Sequence, residues 1–276
     1  MELSIGISPC PNDTFIFEAL MSQKLTDKDI SFRFVLEDVE TLNEMALRNE
    51  LDITKLSFRA YFEVMQNYII MNSGSALGFG CGPLLISKSP MTLQDLAGKK
   101  ISVPGRWTTA NFLLDFALKE SFDKEFKVFS EIENAVLNGN CDAGVIIHEN
   151  RFTYQDKGLH LVQDLGQYWE EKTNSPIPLG GIAIKRNISI DIQKRADKLI
   201  RRSLQMAFDH PEDTMPLVSR YSQEMSTDVM KSHIQLYVNE FSLDLGKPGR
   251  EAIQYMGSQI IDSTKQSANL PLILPN

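Results

Sequence analysis

The N-terminal part of the chain alternates between two periods of hydrophobic positions. Apolar residues recur at every second position in some segments, as in half-buried strands, and at helical spacing in the segments between them. The pattern predicts a βαβαβ unit with strands at residues 3–8, 30–36 and 51–57 and helices at residues 14–24 and 39–49. Because a helix separates consecutive strands, we expect the strands to pair in parallel.

The same order of elements returns after residue 100. This second pass predicts strands at residues 101–103, 126–129 and 143–147 and helices at residues 109–119 and 132–138. A short polar spacer precedes the third strand in both copies, NELD at residues 49–52 and GNCD at residues 139–142. The repeated order and spacer favour an internal repeat that forms two linked α/β lobes.

Beyond residue 190 the hydrophobic spacing is mainly helical. It predicts helices at residues 192–206, 211–221, 227–239 and 249–264, which we expect to pack mostly on the first lobe. Two apolar stretches, residues 69–86 and 179–184, are interpreted as strands that cross between the lobes and make a two-segment hinge. The predicted large lobe is therefore 1–87 plus 183–276, and the inserted small lobe is 88–182. This organisation is typical of the two-lobed, periplasmic-binding-protein-like (type II) α/β fold with a helical C-terminal region.

Composition and charge restrict the classes of partner. The chain has 276 residues, of which 42% are hydrophobic, so it can bury a sizeable core. Its formal net charge of -8 disfavours nucleic acid as a partner. A small anionic ligand remains compatible with this charge, because helix N-termini and single lysines make a site locally positive.

Three further features indicate the compartment. No basic segment precedes an apolar stretch at the N-terminus, so no signal peptide is expected. The longest uncharged stretch, residues 68–86, contains several glycines and Pro83 and is a poor candidate for a membrane span. Cys10, Cys81 and Cys141 are odd in number and widely spaced, which favours a reduced compartment. We therefore expect a cytoplasmic protein with no membrane partner, either a monomer or a homodimer.

Ligands of open parallel sheets bind beyond the carboxyl ends of the strands. Four segments meet this condition, residues 8–14, 55–57, 104–110 and 148–151. We expect them to form a cleft between the lobes. Asn12 and Asp13 are candidates both for capping a helix and for binding substrate. Cys10 is a possible nucleophile near a helix N-terminus, but a packed small side chain is the more common outcome.

The segments with hydroxyl and cationic side chains point to an anion. Thr108, Thr109 and Ala110 begin a helix after a strand, where hydroxyls and backbone amides bind carboxylate or phosphate. The alternative is that the threonines serve merely as helix caps. Lys55 and Ser57 alternate on one strand and should point to the same side. A salt bridge of Lys55 with Asp52 or another acid at the core edge is the alternative interpretation.

One histidine lies where a general base would be useful. His148 closes an apolar strand, and imidazole titrates near neutral pH, although a structural histidine remains an alternative. Glu149 could orient it or be a solvated loop acid. The four histidines show neither i,i+4 pairing nor cysteine partners, so no metal site is expected. The glycines of residues 78–82 precede Pro83 and an apolar strand, which argues against a dinucleotide loop.

Five short motifs occur together at these positions. They are SPCPNDTF at residues 8–15, TKLS at 54–57, PG at 104–105 with TTA at 108–110, IHENRFTY at 147–154 and PIPLG at 176–180. As a set they resemble the 1,4-dihydroxy-6-naphthoate synthase family of the futalosine route to menaquinone. The resemblance covers residues 1 to about 186, and the helical C-terminal third carries no motif of it.

The resemblance implies a lyase that converts cyclic dehypoxanthine futalosine to 1,4-dihydroxy-6-naphthoate without a cofactor. It places His148 on the family's proton acceptor, and Lys55, Leu56, Ser57, Thr109 and Ala110 on substrate-contacting segments. Two alternatives remain open. One is a chorismate dehydratase-like enzyme of the same pathway, against which the HENR run at residues 148–151 argues. The other is a non-catalytic cytoplasmic sensor or binding module for a small anion.

Overall fold

The computed structural model describes residues 1–118, 122–222, 226–261 and 270–275. The chain divides into two compact units. The first unit comprises Met1–Gly78 with Pro178–Asn276, and the second unit comprises Phe79–Ile177. Both are α/β, as the sequence predicts.

Strands and helices alternate over most of the chain. The strands are β1 Glu2–Ile7, β2 Ser31–Leu36, β3 Ile53–Ser57, β4 Tyr68–Ile70, β5 Ala76–Gly78, β6 Leu84–Ser87, β7 Lys100–Val103, β8 Asp123–Phe126, β9 Ala143–Ile146, β10 His160–Asp164 and β11 Ile177–Lys185. The helices are α1 Pro11–Met21, α2 Val39–Leu47, α3 Phe58–Val64, α4 Thr109–Ala117, α5 Ile132–Leu137, α6 Asn150–Thr153, α7 Leu165–Thr173, α8 Ile190–Asp209, α9 Pro211–Tyr221, α10 Thr227–Tyr237, α11 Glu240–Leu243 and α12 Gly246–Ile260.

The sheet of the first unit has the order β2-β1-β3-β11-β4, with β5 paired to β11. Its βαβαβ part is parallel, since β1 pairs in parallel with both β2 and β3. β11 then runs antiparallel to β3 and to β4. The sheet is therefore mixed, because the chain returns along β11 after the second unit, while the parallel pairing expected for the βαβαβ strands holds for β1, β2 and β3.

The sheet of the second unit repeats this plan. Its order is β10-β6-β9-β7-β8, with β7 parallel to β8 and to β9, and β6 antiparallel to β9 and to β10. The elements β7, β8, β9, β6 and β10 thus occupy the places that β1, β2, β3, β11 and β4 occupy in the first sheet. The internal repeat read from the sequence is present in the topology.

The matching spacers have the same structural role in both units. Asn49 and Gly139 each end a helix with a positive φ, 58° and 74°. The following aspartate then reaches back to the first strand of its own sheet: Asp52 accepts the Ser4 amide at 3.0 Å, and Asp142 accepts the Lys100 amide at 2.9 Å. This bond lowers the pKa of Asp142 and is the largest cause of that shift. An acid at this position therefore pins the third strand beside the first.

The C-terminal helices belong to the first unit. The helix α1 packs against α8, α9 and α10. Helix α8 turns a buried stripe of Ala196, Leu199, Ile200 and Leu204 towards the core that also contains β1. The prediction that these helices pack on the first lobe is confirmed for the described residues, while the predicted helix end at residue 264 lies outside them. Within the described ranges, no helix is both long and apolar enough to span a bilayer.

The stretch at residues 69–86 differs from the prediction. It forms β4, β5 and β6, three short strands, because Gly74 and Gly80 adopt positive φ values of 88° and 66° that interrupt an extended chain. β6 belongs to the sheet of the second unit, so the first division of the chain lies between Gly78 and Phe79 and not after residue 87. The second division lies between Ile177 and Pro178, where the sequence placed it after residue 182.

The apolar C-terminal tail covers its own unit. Ile273 forms a bridge beside Ile70 at the edge strand β4, and the Leu274 amide donates to the Ile70 carbonyl at 2.7 Å. The Tyr61 hydroxyl donates to the Leu272 carbonyl at 2.6 Å. The tail thereby satisfies backbone groups that an exposed sheet edge would leave open.

Candidate functional site

The first group of candidate residues follows the neighbouring parallel strands β1 and β3. Asp13 lies in the first turn of α1, and Lys55 lies near the end of β3. The Lys55 ammonium donates to Asp13 Oδ1 at 2.7 Å, and both side chains are buried, 6% and 0% exposed. Lys55 therefore has a carboxylate partner, as its alternative interpretation required, but that partner is Asp13 and not Asp52.

The Asp13 carboxylate is held by a complete set of donors. Oδ1 accepts the Asn12 side-chain amide at 2.8 Å as well as Lys55, and Oδ2 accepts the Ser8 amide at 3.0 Å and the Ser8 hydroxyl at 2.8 Å. A carboxylate that accepts several hydrogen bonds is held in one orientation. Asp13 therefore fixes the position of the Lys55 ammonium.

Ser57 is positioned by a neighbouring helix. Asn43 of α2 accepts the Ser57 amide at 2.8 Å and donates its own amide to the Ser57 hydroxyl oxygen at 3.1 Å. Lys55 and Ser57 are alternate residues of β3 and point to one side of the sheet. The side chain of Leu56 points to the other side and is fully buried.

The second group of candidate residues follows β7 and β9, which are neighbouring parallel strands of the second unit. Gly105 turns the chain after β7 with a φ of 129°, which strongly favours glycine. Thr108 then caps α4, since its hydroxyl accepts the Asn111 amide at 3.1 Å and donates to the Gly105 carbonyl at 3.0 Å. Thr109 and Ala110, both buried, form the first turn of α4, whose amides have no acceptor within the helix.

His148 lies two residues beyond the end of β9. Its φ of 58° is in the left-handed region, which histidine adopts more readily than most residues. The imidazole packs edge-on against Phe129, with ring centroids 5.0 Å apart. Glu149 is buried beside it in sequence. A left-handed residue at a strand end is a frequent feature of functional sites.

The turn that carries His148 is anchored by Arg151. One guanidinium nitrogen donates to the Gly82 carbonyl at 2.5 Å, and the other donates to Asp164 at 2.7 Å. Asp164 in turn caps helix α7 by accepting the Gly166 and Gln167 amides. The arginine of the HENR run therefore has a structural role, which its sequence motif did not reveal.

The cysteines are buried, and the glycine run leads into a strand. Cys10, Cys81 and Cys141 all lie in the described ranges, where they form no disulfide and are buried. Burial raises the pKa of the Cys81 thiol to about 12, so this thiol stays protonated. Pro83 leads from the glycines of residues 78–82 into β6 and not into a helix, which is unlike a dinucleotide-binding loop.

One polar residue next to the first group was missed by the sequence analysis. Nε2 of His233, in α10, lies 3.0 Å from Oδ1 of Asn12, and His233 is 0% exposed. A signal was present in the sequence. Met230, Ile234 and Tyr237 recur at helical spacing on the buried side of α10, and His233 interrupts that apolar stripe.

Comparison with known proteins extends over nearly the whole chain. A family described as menaquinone biosynthesis matches residues 3–259. A 1,4-dihydroxy-6-naphthoate synthase of Thermus thermophilus is 44% identical over 251 residues, 91% of this chain and 91% of that protein. A protein of the same name from Streptomyces coelicolor is 40% identical over 260 residues, 91% of this chain and 90% of that protein.

Solved structures agree on the fold. A crystal structure of a protein from Archaeoglobus fulgidus has a TM-score of 0.88 at 33% identity and covers 94% of this chain and 97% of that one. An alkanesulfonate-binding protein of Xanthomonas axonopodis has a TM-score of 0.68 at 13% identity over 95% and 94% of the two chains. This likeness confirms the predicted periplasmic-binding-protein-like fold. The match over residues 3–259, together with relatives at 44% and 40% identity, shows that the chain belongs to the menaquinone biosynthesis family.

Proposed function

We propose that this chain is a 1,4-dihydroxy-6-naphthoate synthase, a lyase that converts cyclic dehypoxanthine futalosine to 1,4-dihydroxy-6-naphthoate without a cofactor. The two relatives at 44% and 40% identity bear this name. The enzyme works in the cytoplasm on a small carboxylate-bearing substrate.

The observation that carries the proposal is the buried lysine of the first group. An ammonium has three N–H donors, and within the described part of the chain Asp13 is the acceptor of one of them. A buried cation with unused donors is costly unless a ligand completes its hydrogen bonds. We assign the two remaining donors of Lys55, together with the Ser57 hydroxyl proton, to oxygen atoms of the substrate.

The N-terminus of α4 binds the substrate carboxylate in this proposal. The Thr108 hydroxyl is occupied by the cap. The proposal assigns Thr109 and the Ala110 amide to the ligand. The helix dipole favours negative charge at this end. Such binding is equally strong in the ground state and in the transition state, and it therefore lowers KM.

His148 is the general base in this proposal. It removes a carbon-bound proton from the substrate, and the electron pair of that C–H bond forms a new double bond of the ring. The bond to the sugar-derived fragment breaks, and its electron pair leaves with that fragment as the ring becomes aromatic. The proton stays on the imidazole until it is passed to the departing fragment or to water. Phe129 packs against the imidazole, and Arg151 anchors the turn that carries it.

Turnover by the pure protein tests the proposal. The expected result is formation of naphthoate, measured by its absorbance. This activity should persist after the protein has been dialysed against a chelator. Chorismate under the same conditions should be left unchanged, and its conversion would replace the synthase with a dehydratase. Thermal stabilisation by the futalosine derivative without product would replace the enzyme with a binding module.

A further inference from the structure

The C-terminal helix α10 places one buried polar residue beside the first group. His233 is 0% exposed and lies on the same face as Met230, Ile234 and Tyr237. Its ring also packs against Tyr237, with centroids 4.6 Å apart. A histidine on an otherwise apolar helix face is costly to bury unless it makes a specific hydrogen bond.

The donors and acceptors around Asn12 define that bond. The Asp13 carboxylate only accepts, so the group of Asn12 that faces it at 2.8 Å must be the NH2 group. Oδ1 of Asn12 therefore faces Nε2 of His233 at 3.0 Å, and this nitrogen must carry the proton. The Asp13 carboxylate and the imidazole N–H thus hold the Asn12 amide in one orientation, each at one end of it.

We propose that His233 is a positioning residue for Lys55, acting through Asn12 and Asp13. Three hydrogen bonds connect His233 to the lysine, from His233 to Asn12 at 3.0 Å, from Asn12 to Asp13 at 2.8 Å and from Lys55 to Asp13 at 2.7 Å. Both of the last two bonds end on the same oxygen, Oδ1 of Asp13. The C-terminal helices thereby contribute to the substrate site, although they carry no motif of the family.

Removing the imidazole N–H leaves Oδ1 of Asn12 buried without that donor. The Asn12 side chain then keeps only its bond to Asp13, and the cost of the unsatisfied buried oxygen favours a shift of the side chain that weakens this bond. Asp13 would be held less firmly by one of its four donors, and the Lys55 ammonium would lose its fixed position. Because Lys55 binds substrate in both ground and transition state, the kinetic effect should appear mainly in KM.

Kinetic measurements on the full chain compare three variants. His233→Leu removes the donor, His233→Gln places an amide N–H at similar reach, and Ile234→Ala is the matched control that removes packing from the same helix. We expect KM to rise by on the order of tenfold in His233→Leu with little change in kcat, and to stay near the wild-type value in the other two. In a Lys55→Met background, His233→Leu should add nothing further. Equal KM values for His233→Leu and Ile234→Ala, or an additive effect in the double variant, would overturn the proposal.

A second readout is independent of turnover, since the kinetic test rests on the proposed function. In protein labelled with 15N-lysine, the Nζ signal assigned by its loss in Lys55→Met should be narrow in the wild type, in His233→Gln and in Ile234→Ala. It should broaden or vanish in His233→Leu. If the wild type forms no naphthoate, the proposed function fails and the NMR result alone decides on His233. If naphthoate forms but the Lys55 signal is unchanged in His233→Leu, the positioning role is wrong and the function stands.

Discussion

Replacing Lys55 with methionine separates the structural role of this lysine from its role in substrate binding. Methionine has similar length but no charge, so the Asp13 carboxylate stays buried with the Ser8 and Asn12 donors alone. Breaking a buried pair by removing one partner costs about 3–5 kcal/mol. The remaining donors of Asp13 place the expected loss near the lower end, about 3 kcal/mol. For a chain of this size that loss lowers Tm by roughly 6–12 °C.

The effect on catalysis is separate and follows from the two donors assigned to the substrate. Each hydrogen bond to a charged group contributes about 1.5–3 kcal/mol, so the loss of both bonds in Lys55→Met should lower kcat/KM by roughly 150- to 20,000-fold. The change should lie mainly in KM, measured at a temperature where the variant is folded.

Lys185 offers a matched control. It lies on β11 and pairs with Asp52 at 3.5 Å, close to the start of β3 and away from its carboxyl end. Lys185→Met therefore removes a lysine–carboxylate pair of the same sheet and should leave KM unchanged. If Lys55→Met lowers Tm but keeps kcat/KM within about threefold of the wild type, the lysine is structural only. An equal rise of KM in Lys185→Met would mean that the effect is global.

Further predictions concern the helix N-terminus, the sheet contact and a surface ion pair. Thr109→Ala should raise KM with nearly constant kcat, and a collapse of kcat would argue against simple anchoring. Thr108→Ala removes the cap and should lower the free energy of unfolding by about 1 kcal/mol in chemical unfolding. Gly180→Ala should raise KM, because the new Cβ would lie 2.8 Å from the Leu56 carbonyl oxygen and 3.4 Å from the Lys55 side chain. An unchanged KM would show that β3 adjusts without cost. The Arg195 hydrogen bond is the largest cause that lowers the pKa of Asp27 from 3.8 to about 2. The loss of stability in Arg195→Gln, measured by urea unfolding, should therefore be constant above pH 3.8 and shrink as pH falls towards 2. A difference that persists unchanged at about pH 2 would contradict this assignment.

The strand and helix order was predictable because each element of the two βαβαβ passes has its own periodicity. Helix α3 was missed, since most of its residues are buried and no amphipathic pattern marks it. The antiparallel pairing of β6 with β9, and that of β11 with β3, were also missed. Hydrophobic spacing identifies a strand but does not show which neighbour it pairs with.

The candidate site shows the same distinction between features that the sequence predicts and features that it does not. The rule that ligands bind at strand ends selected Lys55 and Asp13 separately, but their pairing depends on β1 and β3 being adjacent, which no local pattern contains. Thr108 was predicted to serve as a cap or a ligand, and its geometry identifies a cap. His233 reaches Asn12 across 221 positions of sequence, so only its interruption of an apolar stripe could have drawn attention to it.

The role of His148 is tested most directly by the turnover of cyclic dehypoxanthine futalosine in His148→Asn. Asparagine readily adopts the left-handed backbone that His148 has at a φ of 58°, so this variant keeps the turn while removing the base. The expected result is a loss of kcat by roughly two to four orders of magnitude with KM preserved, while Cys10→Ser, measured beside it, stays close to the wild type. A folded His148→Asn protein that turns over within about tenfold of the wild-type rate would contradict the assignment of His148 as the base.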